Sequence, residues 1–220
     1  MESGILETVA ERWNTHAEKY DTTHHGNNTE EDISNWKEVL EAQMGDDRRV
    51  EVLDVGAGTG FLTLLISELG YRCRGLDISG GMLDVARQHA RERGLAIEFI
   101  QGAVESMPIS DNSLDVIANR SLMWTLLTPD TILKEWLRAL KPGGKLLCFC
   151  TAGKGMPEGH HYSQEIEDML PLKGASVEKL TSVLSEAGFI DVEAVHLEKI
   201  RNAHDDEKTW YAIKGKKCIY

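Results

Sequence analysis

Three glycines spaced two apart, Gly56, Gly58 and Gly60, stand between an apolar run and a helical pattern in Asp54-Val-Gly56-Ala-Gly58-Thr-Gly60-Phe-Leu62. A side chain at such positions would hold a ligand off the backbone, and some of them call for positive φ, so glycine is the residue that fits. The helix that follows begins with free N–H groups. Asp77 closes the next apolar run 17 residues after Gly60, where a carboxylate can accept both hydroxyls of a ribose. The run reads GxGxG and not the GxGxxG on which a pyrophosphate sits, and Asp54 precedes it within the strand. The chemistry implied is the binding of a ribose-bearing cofactor other than a dinucleotide.

Further polar and aromatic residues fall where such a sheet opens, beyond the C-terminal ends of its strands. Trp124 follows the fourth apolar run, and its ring face suits a cationic ligand; ordinary packing accounts for it equally well. His24-His25 and His160-His161 lie in glycine-flanked polar stretches, with Tyr162 next to the second pair. A histidine there can act as a base near neutral pH, although exposed loop histidines are common. Adjacent histidines point in different directions, and no Cys, Asp or Glu spacing completes a ligand set, so no metal is expected.

The elements that position these residues alternate. Apolar residues recur every fourth position at Ile5, Val9, Trp13 and Ala17, and Ser34 is a candidate cap for a second helix carrying Trp36, Val39 and Leu40. Strands are expected at 50–55, 73–77, 96–101, 114–119 and 145–150, with helices after the first, second and fourth. That alternation implies a parallel sheet with right-handed crossovers. Lys141-Pro-Gly-Gly144 should stop a helix and turn the chain into the fifth strand. The segment 152–175 is looser and is a candidate lid. Ser176 can cap a last helix ending at Gly188, and runs near 190–197 and 209–214 suggest an antiparallel hairpin at the sheet edge.

With 220 residues the chain is expected to form one domain: helices over 1–45, a binding core over 46–151, the lid over 152–175, and a helix with the hairpin over 176–220. A net charge of −12, from 36 acidic against 24 basic residues, repels a nucleic acid backbone and favours a neutral or cationic small molecule. Cys73, Cys148, Cys150 and Cys218 sit in apolar surroundings with no CxxC pair, which fits buried thiols and a cytoplasmic, reducing home. The start of the chain is acidic and lacks an apolar core of signal-peptide length, and no run is long enough to cross a membrane.

On these residues the chain resembles the class I S-adenosylmethionine-dependent methyltransferases along nearly its whole length. Val52-Leu-Asp-Val-Gly-Ala-Gly-Thr-Gly60 is similar to their first motif, Gly75-Leu-Asp-Ile-Ser79 with Met82 to their second, and Leu137-Arg-Ala-Leu-Lys-Pro-Gly-Gly144 to the turn before their fifth strand. Asn119-Arg-Ser-Leu-Met-Trp124-Thr, followed by Glu135-Trp136, resembles a subgroup acting on small molecules of mostly unassigned identity. The resemblance implies a Rossmann-like α/β fold, with seven mostly parallel strands, an antiparallel C-terminal hairpin and N-terminal cap helices. It also implies S-adenosyl-L-methionine as cofactor. Gly56, Gly58 and Gly60 would lie along its methionine portion, Asp77 on the ribose, and Ile78 and Met82 beside the adenine, with Asp54 and Asn119 counted in the same site. Tyr20 belongs to a segment resembling the one that covers the cofactor in small relatives. Where the family commonly has Gly-Asp-Ala, this chain reads Gly102-Ala103-Val104. Ala103 cannot accept from the adenine amine, so adenine recognition must lean on donation from the Val104 N–H, on Glu105 or on water.

The expected reaction is methyl transfer to a small N, O or S nucleophile by direct displacement, with His160, His161 and Tyr20 as candidate catalytic groups and Trp124, His24, His25 and Tyr162 around the acceptor. No nucleic acid or membrane partner is expected, and a monomer or homodimer is. Two rival readings are aminopropyl transfer and a regulatory protein that holds the cofactor without turnover. The fourth strand ends in Asn119-Arg-Ser-Leu122 and not in an Asn-Pro-Pro-Tyr run, which argues against a flipped base as acceptor.

Overall fold

Two helices open the chain, α1 (Glu2–His24) and α2 (Glu30–Met44), in the computed structural model, which describes residues 2–24, 26, 28–152, 162–201 and 209–219. α2 begins earlier than Ser34. Its N-cap is Thr29, whose hydroxyl accepts from the Asp32 N–H while the Asp32 carboxylate accepts from the Thr29 N–H at 2.9 Å. This reciprocal capping box, followed by Glu30, Glu31 and Asp32 in the positive first turn, fixes the start. The helix buries Trp36, Leu40 and Met44, one stripe at a spacing of four.

Then follow β1 (Glu51–Val55), α3 (Phe61–Glu68), β2 (Arg72–Asp77), α4 (Gly80–Glu92) and β3 (Glu98–Gln101). β2 pairs in parallel with β1 and with β3. All six residues from Phe61 to Ile66 are buried, five of them large and apolar and the sixth, Thr63, polar. Each such large side chain contributes about 1.5–3 kcal/mol. The second half holds β4 (Leu114–Arg120), a short 3-10 turn (Met123–Thr125), α5 (Pro129–Ala139), β5 (Leu140–Ala152), α6 (Gln164–Glu167), α7 (Val177–Ala187), β6 (Ile190–His196) and β7 (Thr209–Lys216). β4 and β5 are parallel, whereas β7 is antiparallel to both β5 and β6. The strand order is β3-β2-β1-β4-β5-β7-β6. The chain divides into two compact units, Met1–Val104 and Glu105–Tyr220.

Lys141-Pro-Gly-Gly144 stops α5 as expected but does not precede the strand. Leu140 already pairs with Leu114, and the register then jumps to Val116 opposite Lys145, so the four residues form a bulge within β5. Gly143, at φ 78°, donates to the Lys217 carbonyl, and Lys217 donates back to Gly144. α7 matches expectation at both ends, with Ser176 accepting from Lys179 N–H and Gly188 left-handed at φ 109°. Cys73, Cys148 and Cys150 are buried, and burial pushes the Cys150 thiol up to about 12. Cys218 is exposed, contrary to expectation, because it lies two residues beyond the end of β7.

Candidate active site

The first unit builds a cradle around the end of β1. Gly56, Gly58 and Gly60 all adopt positive φ, at 68°, 54° and 91°. Ala57 N–H reaches across to the Leu76 carbonyl at 3.0 Å, which binds the turn to β2. Gly60 is the N-cap of α3 and has no side chain to cap it. Asp54 serves instead: one carboxylate oxygen accepts from Thr63 N–H at 3.0 Å and from its hydroxyl at 2.6 Å. Asp54 therefore anchors the third residue of α3 from the neighbouring strand. A Cβ on Gly60 would stand 3.0 Å from that of Ala86, whereas one on Gly58 would meet nothing within 4 Å. Gly60 is glycine for packing, and Gly58 leaves open space along the turn.

Asp77 is buried beside that space. Its Oδ2 accepts from Gly58 N–H and its Oδ1 from Ser79 N–H, each at 2.8 Å. Burial pushes this carboxyl upward, opposed by the N–H donors of Ser79, Gly58 and Ile78. These backbone bonds do not exhaust a carboxylate's acceptor sites, so it retains capacity for ribose hydroxyls. Together with the open flank at Gly58, this fits the nucleoside part of the cofactor expected from the sequence.

The rest of this cradle follows from the ends of β2 and β3. Ser79 caps α4, accepting from Met82 N–H at 3.1 Å. Met82 is buried on the same helix face as Leu83, Ala86 and Ala90. Ile78 is half-buried, and its carbonyl accepts from Gln101 Nε2 at 3.2 Å. Ala103 and Val104 are half-buried in the turn after β3, tied down by Gly102 N–H on the Asp77 carbonyl at 2.9 Å. Gln101 was not singled out in the sequence; it brings an amide beside Ile78, close to where Ala103 lacks a carboxylate. Tyr20 meets Trp13 edge to face, with ring centroids 5.7 Å apart.

The second unit carries the other candidates. Asn119, fully buried at the end of β4, donates from Nδ2 to the Cys148 sulfur at 3.2 Å, while its Oδ1 has no hydrogen-bond partner among the described residues. An orphaned buried acceptor is costly and marks a place where a ligand or water donates. Ser121 follows at φ 58°, a strained value for a non-glycine residue. Trp124 lies in the 3-10 turn with its ring centroid 6.3 Å from that of Tyr162, so two expected acceptor residues come together. Tyr162 N–H donates to Glu167, whose side chain is 2% exposed and which also pairs with Lys173 at 2.5 Å. His24 is the last residue of α1. His25, His160 and His161 lie outside the described residues. Among the described residues no three His, Cys, Asp or Glu side chains group as a metal site, and no helix is long and apolar enough to cross a membrane.

Parallel strands, a glycine turn at the end of β1, a buried acid at the end of β2 and an antiparallel closing pair define the Rossmann-like class I methyltransferase fold. Residues 53–148 match the family described as a methyltransferase domain. A demethylmenaquinone methyltransferase of Lactococcus lactis subsp. lactis is 36% identical over 129 residues, covering 56% of this chain and 50% of the relative. The chain spans about half the length of the curated relatives it matches. Among solved structures, the cyclase SpnF superposes with a TM-score of 0.66 at 21% identity, over 84% of this chain and 80% of that one. A phosphoethanolamine N-methyltransferase 2 of Haemonchus contortus, in complex with S-adenosyl-L-methionine, gives 0.64 at 21% identity, over 84% and 52%.

Proposed function

We propose that this protein transfers the methyl group of S-adenosylmethionine to a small-molecule acceptor by direct displacement, without a metal. The observation that carries the reading is the glycine turn facing a buried carboxylate, with open space at Gly58 and acceptor capacity left on Asp77. When bound, the cofactor supplies an electrophilic methyl carbon on a sulfonium that leaves as a neutral thioether with the electron pair of the broken bond.

The chain's own residues bind and orient. Gly56, Gly58 and Gly60 admit the methionine portion along the turn, Asp77 accepts from the ribose hydroxyls, and Ile78, Met82, Ala103 and Val104 border the adenine. Gln101 offers the amide that Ala103 cannot, and the unpartnered Oδ1 of Asn119 accepts from a ligand donor. Trp124 and Tyr162 present aromatic surface to the acceptor; His24 and His25 are further candidates for acceptor contact, and Tyr20 for covering the cofactor. Alignment and exclusion of water supply most of the rate in a displacement of this kind. A hydroxyl acceptor also needs its proton removed as attack proceeds, and His160 or His161 is assigned that task. The net charge of −12 supports a neutral or cationic acceptor over a polyanion.

Incubation with cofactor labelled in its methyl group and a panel of amines, thiols, phenols, carboxylates and hydroquinones tests the reading. Labelled product with S-adenosylhomocysteine is expected. Methylthioadenosine would indicate aminopropyl transfer. A second reading is a protein that holds the cofactor on this fold without turning it over, since a solved structure of the same fold is a cyclase. Tight cofactor binding without product across the panel would favour it.

A further inference from the structure

The opening helix is bonded into the first turn of α4. Asn14, midway along α1, accepts at Oδ1 from the Ser79 hydroxyl at 2.8 Å and from Gly81 N–H at 3.0 Å. Its Nδ2 donates to Glu11 at 3.5 Å, which sets the amide with its oxygen towards α4. The first N–H groups of any helix lack partners within it. Here Met82 N–H is taken by Ser79 Oγ and Leu83 N–H by the Ser79 carbonyl, and Asn14 supplies the acceptor for Gly81. The cap of α4 is completed by a residue 65 positions upstream of Ser79.

Ser79 connects this cap to the cofactor cradle. Its hydroxyl has one proton, given to Asn14, so its lone pairs are left for Met82. Its backbone N–H donates to Asp77 Oδ1 at 2.8 Å. Asn14, Ser79 and Asp77 thus run in line from the opening helix to the carboxylate assigned to the ribose. The backbones meet closely: a Cβ on Gly81 would stand 2.9 Å from the Asn14 carbonyl oxygen and 3.0 Å from its Cα. Towards the other end of α4, His89 Nε2 lies 2.9 Å from Asp21 on α1. The helix is therefore fastened along its length.

We infer that α1 is a latch on the cofactor carboxylate, with Asn14 the positioning residue that sets Asp77 through Ser79. The inference rests on the reading that Asp77 holds the ribose. Asn14 touches no reacting atom; it fixes the turn from which the Ser79 N–H reaches Asp77. With the latch open, the first turn of α4 frays and the carboxylate loses the Ser79 N–H as a fixed donor.

Calorimetric titration with S-adenosylhomocysteine tests this in the parent, Asn14→Ala, Asn14→Asp, Gly81→Ala, Ser79→Ala and the Asn14→Ala/Ser79→Ala double variant. Asn14→Ala is expected to weaken binding about tenfold, the loss of two hydrogen bonds. Asn14→Asp keeps an acceptor at a positive helix end and should stay within about twofold of the parent. Gly81→Ala pushes α1 away with every polar group intact and should weaken binding as Asn14→Ala does. The double variant should lose less than the sum of its parts, since both act on one link. In the ligand-free protein the Gly81 amide should exchange faster in Asn14→Ala. Parental affinity in Asn14→Ala or in Gly81→Ala, or strictly additive losses, would overturn the inference while leaving the cofactor reading intact. Absence of saturable binding by the parent would overturn both. Should Asn14→Ala not fold, Gly81→Ala and Asn14→Asp decide it alone.

Discussion

The two units hold their candidate residues by different means. In Met1–Val104 the cradle is fastened by backbone geometry: three positive-φ glycines, Asp54 on Thr63, and Asp77 between Gly58 and Ser79. In Glu105–Tyr220 the candidates are side chains from separate segments, with Trp124 in a 3-10 turn meeting Tyr162 ahead of α6. A site made from backbone conformation tolerates few residue types, whereas aromatic surface can be assembled from many. The first unit should therefore fail sharply when altered, and the second should change selectivity before it fails.

The largest expected effect lies at the anchor of α3. Asp54→Ala leaves the buried Thr63 N–H and hydroxyl without their acceptor and should cost about 3–5 kcal/mol, read as the shift in a urea unfolding midpoint. Gly60→Ala combines left-handed strain with a Cβ 3.0 Å from Ala86 and should cost about 3 kcal/mol in the same measurement. Gly58→Ala separates stability from binding. With open space around its Cβ it should cost only about 1 kcal/mol of stability, yet weaken S-adenosylhomocysteine binding at least about tenfold in calorimetry. Equal effects of the two glycine changes on stability would remove the distinction between packing and ligand space.

Smaller effects belong to the second unit. Trp124→Ala should lower kcat/KM for the acceptor about tenfold while the cofactor Kd moves less than about twofold. A parallel loss in both would show that the aromatic pair serves the cofactor. Glu135 gives the gentlest test. Its carboxylate is held below the ordinary range chiefly by hydrogen bonds from Arg138, aided by Met107 N–H. Because folding lowers this pKa, the contribution is full above the unfolded value of about 4.3 and is lost as pH falls through the folded one. Glu135→Gln should therefore reduce the melting temperature at pH 7 by a few degrees and by less at pH 3, measured by calorimetry.

Much of the cradle was legible because its residue types are forced. Only glycine suits a φ of 91° against Ala86, and a carboxylate at Asp77 can accept from the Gly58 and Ser79 N–H groups and still keep acceptor capacity. The same holds for Ser176 and Gly188, which bound α7 as their residue types require. Ser34 misled because Thr29 and Asp32 form the stronger reciprocal cap five residues earlier than an apolar stripe alone suggests. The bulge at Lys141–Gly144 was hidden because it depends on pairing with β4 and on Lys217, both remote in sequence. Asn14 and Gln101 gave no signal. Each is an ordinary polar residue whose meaning comes from the element docked against it, α4 for the first and the end of β2 for the second.

On the proposed function, the glycine turn and Asp77 together bind the nucleoside of S-adenosylmethionine. Titration of S-adenosylhomocysteine into the parent and into Asp77→Ala, each shown folded by its melting curve, tests it most directly. Saturable one-to-one binding by the parent and a loss of about a hundredfold in the variant are expected, from two hydrogen bonds to a charged acceptor. Equal binding by both proteins, or none by the parent, would contradict the account.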